Sequence, residues 1–146
     1  MKVLAVDYGS KRVGLAVGDT VMRIATPLGP VAATRQQDVL EAIQERAREF
    51  EVERIVVGYP LNMDGSRGPA CAVVDRFVGF LRKRVGVPVV LVDEKLSSFE
   101  AEEMGKEIER DFRKRRKFLD SVAAQVILES YFEKEANRKS GKEVEG

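Results

Sequence analysis

A mixed α/β sheet of about five strands with helices on both faces is the architecture this sequence predicts, and three observations carry the prediction. Three strand-like segments precede Pro30, joined by links too short for a crossover, so they pair antiparallel. Two later apolar runs, Ile55-Val56-Val57-Gly58 and Val87 to Val92, are continuous rather than alternating, as in parallel strands covered on both sides. Segments with apolar residues at helical intervals separate and follow these runs.

The first strand, Val3-Leu4-Ala5-Val6, is too short an apolar run for a helix and stops at Asp7 and Gly9. The link Gly9-Ser10-Lys11-Arg12 is short enough for a hairpin, which places Asp7 at the rim of the pair and Lys11 and Arg12 at its tip. Val13 to Val17 forms the partner strand. Gly18-Asp19 marks a turn, and Met22 to Leu28 supplies a third strand that Pro27 and Pro30 are expected to end. Thr34-Arg35-Gln36-Gln37 has capping-box spacing and opens a helix carrying Val39, Leu40, Ile43, Ala47 and Phe50 on one side.

After the strand ending at Gly58, residues 59–69 are rich in turn formers. Pro69 then stands in the first turn of a second helix, whose buried stripe reads Ala70, Val73, Val74, Phe77 and Leu81. The strand through Val92 ends at Asp93-Glu94. Ser97-Ser98-Phe99-Glu100 offers another capping box before a helix through Ala101, Met104 and Ile108. A cationic run, Arg110, Arg113, Lys114, Arg115, Arg116 and Lys117, leads into a last helix with Leu119, Val122, Ala123, Val126, Ile127 and Ser130 or Tyr131 on its buried side. Residues 1–133 read as a single domain, and residues 134–146 as a charged C-terminal tail.

Composition narrows the chemistry. At 146 residues, 44% hydrophobic and 34% charged, the chain can bury a real core. Its net charge of +1 means that any nucleic-acid binding comes from a local patch. With no histidine, Ser-His-Asp triads and imidazole zinc sites are excluded, and the lone Cys71 can neither form an internal disulfide nor build a zinc site. That cysteine usage fits a reducing cytoplasm, and no run approaches the ~20 apolar residues of a membrane span. Catalytic polar atoms are therefore expected to be carboxylates, which hydrolyse most readily at neutral pH by holding Mg2+ or Mn2+.

Ligands of open α/β sheets sit at the carboxyl ends of parallel strands, where Asp7, Gly58 and Asp93-Glu94 all fall. If the strand ending at Gly58 lies between the other two, the acids are ~9.6 Å apart at the backbone and converge over the glycine, which would leave a gap for metal and phosphate. Asp120 opens the final helix and is either an N-cap or a third ligand, since Ala123 and Ala124 would let that helix approach the sheet closely. Six cations between Arg110 and Lys117, beside such an acidic site, suit a phosphodiester backbone. Their bland alternative is a solvated helix end, as Asp7 could merely bind turn amides. Aromatics are not interleaved with these cations, which favours backbone and shape recognition over base stacking.

Four stretches carry a likeness: Asp7-Tyr8-Gly9-Ser10-Lys11-Arg12-Val13-Gly14-Leu15-Ala16, Val57-Gly58-Tyr59-Pro60-Leu61 with Gly65, Asp93-Glu94-Lys95-Leu96-Ser97-Ser98, and Asp120-Ser121-Val122-Ala123-Ala124. In this order and spacing the chain, as far as about Phe132, resembles the YqgF/RuvX family of RNase H-like proteins, described as Holliday junction resolvases and as nucleases for the 5′ end of pre-16S rRNA. The resemblance implies sheet order 3-2-1-4-5 and phosphodiester hydrolysis with two Mg2+ or Mn2+ ions. It maps the catalytic acids onto Asp7, Glu94 (or its neighbour Asp93) and Asp120, which makes all four candidate metal ligands, with Asp7 bridging the two ions.

Lys11, Arg12, Arg67, Lys95, Arg110, Arg113, Lys114, Arg115, Arg116 and Lys117 would contact nucleic acid, either structured RNA or branched DNA. Lys95 stands where the family usually has Arg and lacks its bidentate geometry, and Ser97-Ser98 replace a Thr pair. Related RNase H-like resolvases carry an acid at the end of the fourth strand, where this chain has Gly58, which implies a thinner metal shell. A resolvase would work as a two-fold homodimer, whereas a processing nuclease could work as a monomer.

Two other functions compete. Asp7 to Arg12 also resembles the first phosphate loop of actin-like and sugar-kinase ATPases, a design that needs two such domains where this chain holds one. A non-catalytic nucleic-acid-binding module would use the cationic run and leave the acids idle.

Overall fold

The computed structural model describes residues 1–9, 11–94 and 122–137. Its strands are β1 (Lys2–Tyr8), β2 (Arg12–Asp19), β3 (Ala25–Ala32), β4 (Arg54–Tyr59) and β5 (Val89–Asp93). The helices are α1 (Gln36–Glu49), α2 (Pro69–Arg84) and α3, residues 122–137. The strands form one sheet in the order β3-β2-β1-β4-β5. The β1–β2 and β2–β3 pairs are antiparallel, and the β1–β4 and β4–β5 pairs are parallel. No helix among the described residues is long and apolar enough to cross a membrane.

The central strand explains the layering. Val3, Leu4, Ala5 and Val6 are all fully buried, and because strand side chains alternate, they serve two different cores. Leu4 and Val6 join Val57, Ile43 of α1 and Phe77 and Leu81 of α2. Val3 and Ala5 join Val56, Val92 and, from α3, Ala124, Ile127 and Leu128. Ala5, Ala16 and Ala124 keep the second interface thin, so α3 lies close on the sheet. Of the two expected small residues it is Ala124 that meets the sheet, while Ala123 packs with Val122 and Val126.

Four elements depart from expectation for identifiable reasons. β3 starts at Ala25 and runs through Pro27 and Pro30 to Ala32, because it is the edge strand of the sheet and a proline's missing N–H is tolerated there. The turn before it exposes Val21 and Met22, with Val21 N–H donating to Asp19 Oδ1 at 2.7 Å and holding that carboxyl below its ordinary pKa.

α1 has extended Arg35 as its N-cap with no side-chain cap bond, so Thr34 lies one residue too early to close the expected box. α2 does begin at Pro69, but it buries Cys71, Val74, Phe77, Val78 and Leu81, leaving Ala70 and Val73 exposed. Its face is set by contacts distant in sequence, among them the stack of Phe77 on Tyr8 with centroids 4.0 Å apart. α3 continues through residue 137, past the boundary placed at 133, with Tyr131 and Phe132 buried against the sheet.

Candidate active site

Asp7 closes β1. It shares a side-chain face with Val3 and Ala5, the face covered by α3, and pairs with Gly14 across the hairpin. Gly9 N–H donates to Arg12 O at 3.1 Å, closing the turn that presents exposed Lys11 and half-buried Arg12 beside that rim.

The register Val6↔Val57 sets Gly58 next to Asp7 on the parallel neighbour, and Gly58 pairs in turn with Val92 of β5. The ladder continues one step beyond β5, where Glu94 N–H donates to Tyr59 O at 3.2 Å. From there the Glu94 side chain folds back over β4. A Cβ added at Gly58 would stand 2.5 Å from Glu94 Oε2 and 2.6 Å from Ile127 Cδ1. The absence of a side chain at residue 58 is therefore what lets this carboxylate lie on the sheet. The space expected to stay open over Gly58 is filled by Glu94 itself and the tip of Ile127.

Asp93 goes elsewhere. It pairs with Tyr59, its side chain alternates away from that of Val92, and it is exposed at the outer strand. Asp7 and Glu94, by contrast, line one cavity of about 470 Å³ together with Tyr8, Gly9, Pro60 and Val73. The two acids expected from the beginning and the late middle of the chain thus meet at one end of the sheet. Among the described residues no three His, Cys, Asp or Glu side chains are grouped to hold a metal. The expected third acid, Asp120, and the cations Lys95, Arg110, Arg113, Lys114, Arg115, Arg116 and Lys117 lie outside the described residues.

Arg67 is the remaining expected cation. Its guanidinium sits 5.7 Å from the centroid of the Tyr59 ring, in the loop that follows β4. The Tyr59 hydroxyl donates to Asp75 Oδ2 at 3.0 Å. Burial, reinforced by the Asp75 carboxylate, pushes its pKa up to about 12. Sequence reasoning missed the pairing of Tyr59 with Asp75: Tyr59 stands in a stretch that carries the family likeness but has no role assigned there, Asp75 belongs to no such stretch, and they meet only because α2 packs across the end of β4.

A two-carboxylate, all-oxygen donor set with no imidazole suits a hard divalent cation and does not suit zinc.

Residues 1–134 match the family model RuvX, described as Holliday junction resolvase. A relative from Anaeromyxobacter sp. (strain K), named "Putative pre-16S rRNA nuclease", is 43% identical over 136 residues, covering 93% of this chain and 99% of its own. One of the same name from Halothermothrix orenii is 37% identical over 131 residues, covering 90% and 94%.

Two solved structures share the RNase H-like fold. Thermus thermophilus RuvC in complex with a Holliday junction substrate superposes with a TM-score of 0.55 at 19% identity, over 90% of this chain and 94% of that one. The fowlpox virus resolvase with Holliday junction DNA gives 0.52 at 12% identity, over 92% and 98%.

Proposed function

The chain belongs to the RuvX family of Holliday junction resolvases, and on that premise we propose that it is a metal-dependent endonuclease that hydrolyses phosphodiester bonds and trims the 5′ end of pre-16S rRNA. The observation that carries this reading is the convergence of Asp7 and Glu94 on one cavity across Gly58.

Asp7 and Glu94 would hold the ion, Mg2+ or Mn2+, with Asp120 as the third ligand, because Asp120 lies two residues before Val122 in the sequence and α3 carries Ile127 onto Gly58. A bound divalent ion at such a site supplies Lewis-acid stabilisation of phosphoryl oxygens and lowers the pKa of water, and a pair of ions would serve attacking and leaving oxygens together. The protein's own contribution is positioning. β1 and β4 are buried in the middle of the sheet, so Asp7 sits on a rigid base. Glu94 is fixed at its backbone by Tyr59 O and at its side chain by the surface of Gly58 and Ile127. Lys11, Arg12 and Arg67 border the same end of the sheet and would neutralise phosphates of the bound strand, which fixes its register over the acids.

Cleavage of a 5′-extended 16S rRNA fragment by the purified full chain in Mg2+ or Mn2+, absent in Asp7→Asn and in Glu94→Gln, is the expected result. Binding without cleavage of any substrate in either ion would overturn the enzyme reading. The family's description favours a second substrate, branched DNA, so a four-way junction belongs in the same assay. Preferential cutting of the junction by a dimeric species would replace the RNA assignment with a resolvase.

A further inference from the structure

We propose that the exposed face of α2 is a track for a single-stranded segment of the substrate, leading from the candidate active site to the far end of the helix. The proposal rests on the nucleic-acid reading above and extends it to residues with no role in cleavage. Val73, Arg76, Phe80 and Lys83 recur at helical intervals and form one exposed stripe, flanking the buried one of Val74, Phe77, Val78 and Leu81. Two of these four are apolar and left in solvent, Val73 at 53% and Phe80 at 43% exposure.

The face is continuous with the site, since Ala70 and Val73 line the same cavity as Asp7 and Glu94. From Ala70 to Lys83 the helix extends ~20 Å. That length accommodates about five or six stacked nucleotides at ~3.4 Å each.

The chemistry selects the occupant. Lys83 Nζ stands 6.0 Å from the centroid of the exposed Phe80 ring, so a cation and an aromatic face are presented together, as stacking sites for single strands require. α2 carries Arg76, Arg82, Lys83 and Arg84 against a single acid, Asp75, whose carboxylate is already engaged by the Tyr59 hydroxyl. Arg82 is committed to Val89 O at 2.8 Å, which leaves Arg76 and Lys83 as the phosphate contacts on the stripe. Phe80 stacks on a base, and Val73 supports the chain where it enters the cavity.

The test uses the full chain in EDTA with a fluorescein-labelled single-stranded RNA of about 12 nucleotides, a length within the range of known single-strand sites. Phe80→Ala is expected to weaken binding at least about fivefold. Arg76→Ser with Lys83→Ser is expected to weaken it further and to flatten the dependence of log K on log salt by about 0.7 per cation removed. Arg76 and Lys83 are exposed, so the double Ser variant keeps a Tm close to that of the wild type, and Phe80→Ala, which loses the covered part of its ring, is assayed well below its own melting transition.

Unchanged affinity and salt slope in variants whose parent binds RNA would overturn the track while leaving the nuclease reading intact. A parent that neither binds nor cleaves RNA would overturn both. Loss of self-association in place of loss of RNA affinity, read by sedimentation, would also overturn the track, making this face a contact between copies of the chain.

Discussion

Gly58→Ala tests whether the carboxylate over β4 is part of the catalytic apparatus. The new Cβ would lie 2.5 Å from Glu94 Oε2 and 2.7 Å from Glu94 Cδ, whereas ordinary contacts begin at 3.4 Å, so the carboxylate must retreat by about 0.9 Å. The clashing atoms, including Ile127 Cδ1, are ends of flexible side chains, and Gly58 is not among the residues at positive φ. Overpacking of this kind costs ~1–3 kcal/mol, partly offset by the ~0.4–1 kcal/mol gained when a glycine is removed from the unfolded chain. Stability should thus fall by about 1 kcal/mol, roughly 3 °C in Tm.

Cleavage should fall much further, because displacing a reacting group by about 1 Å costs on the order of 10²-fold. The expected outcome is a kcat reduced ~10²-fold with RNA affinity in EDTA unchanged. Metal-dependent cleavage of the 5′-extended rRNA fragment, beside a melting curve, reads both quantities. Full cleavage by Gly58→Ala would refute the role given to Glu94, as would a loss explained entirely by the unfolded fraction at assay temperature.

Three further outcomes follow from the same geometry. Asp93→Asn should leave cleavage within about threefold of wild type while Glu94→Gln lowers it by about 10²-fold or more, because only Glu94 turns onto the Asp7 face; equal losses would contradict the register at the end of β5. Phe77→Ala, which empties a fully buried site and removes the stack on Tyr8, should cost ~3–5 kcal/mol in urea unfolding. Tyr59 links stability to alkaline pH: its pKa is raised from 10.0 to about 12 by burial and Asp75, so the folded state favours the neutral hydroxyl. That contribution is complete below the unfolded value and disappears as pH rises through the folded one. Wild type should therefore lose stability between about pH 10 and pH 12 more steeply than Tyr59→Phe, as paired unfolding curves would show.

What the sequence reveals and what it conceals divide along the reach of the interactions. Continuous apolar runs at residues 55–58 and 87–92 identify β4 and β5 as parallel strands, but only β4 is covered on both faces; β5 lies at the sheet edge and leaves Leu91 exposed, a position that its local composition does not reveal. Pro27 and Pro30 argue against a strand locally, yet β3 passes through both, since edge position is decided by the whole sheet. On α2 the apolar residues are too many to define one stripe. Val73 and Cys71 exchange places between expectation and structure because Cys71 Sγ reaches Pro60 O at 3.4 Å and Val73 faces the cavity. At the site, Asp7 is legible from its place after a buried run, whereas the choice of Glu94 over Asp93 depends on where the β4–β5 ladder ends, a long-range fact.

Gly58 and Glu94 act as one structural unit. An acid carried on β4 at residue 58 would need the volume that Glu94 Oε2 and Cδ now occupy, and the two cannot coexist without moving α3 through Ile127. The end of β4 nevertheless presents a carboxylate beside Asp7, delivered from beyond β5 and laid across a residue with no side chain. Under the proposed function, this carboxylate from the neighbouring strand would fill the shell that the resemblance implies to be thin at β4. Its orientation draws on the hydrogen bond from Glu94 N–H to Tyr59 O and on the packing of α3. The surface of α3 that buries Ala124, Ile127 and Leu128 accordingly does two things at once, closing the second core and pinning the carboxylate. Loosening that packing should reach the chemistry before it reaches the fold.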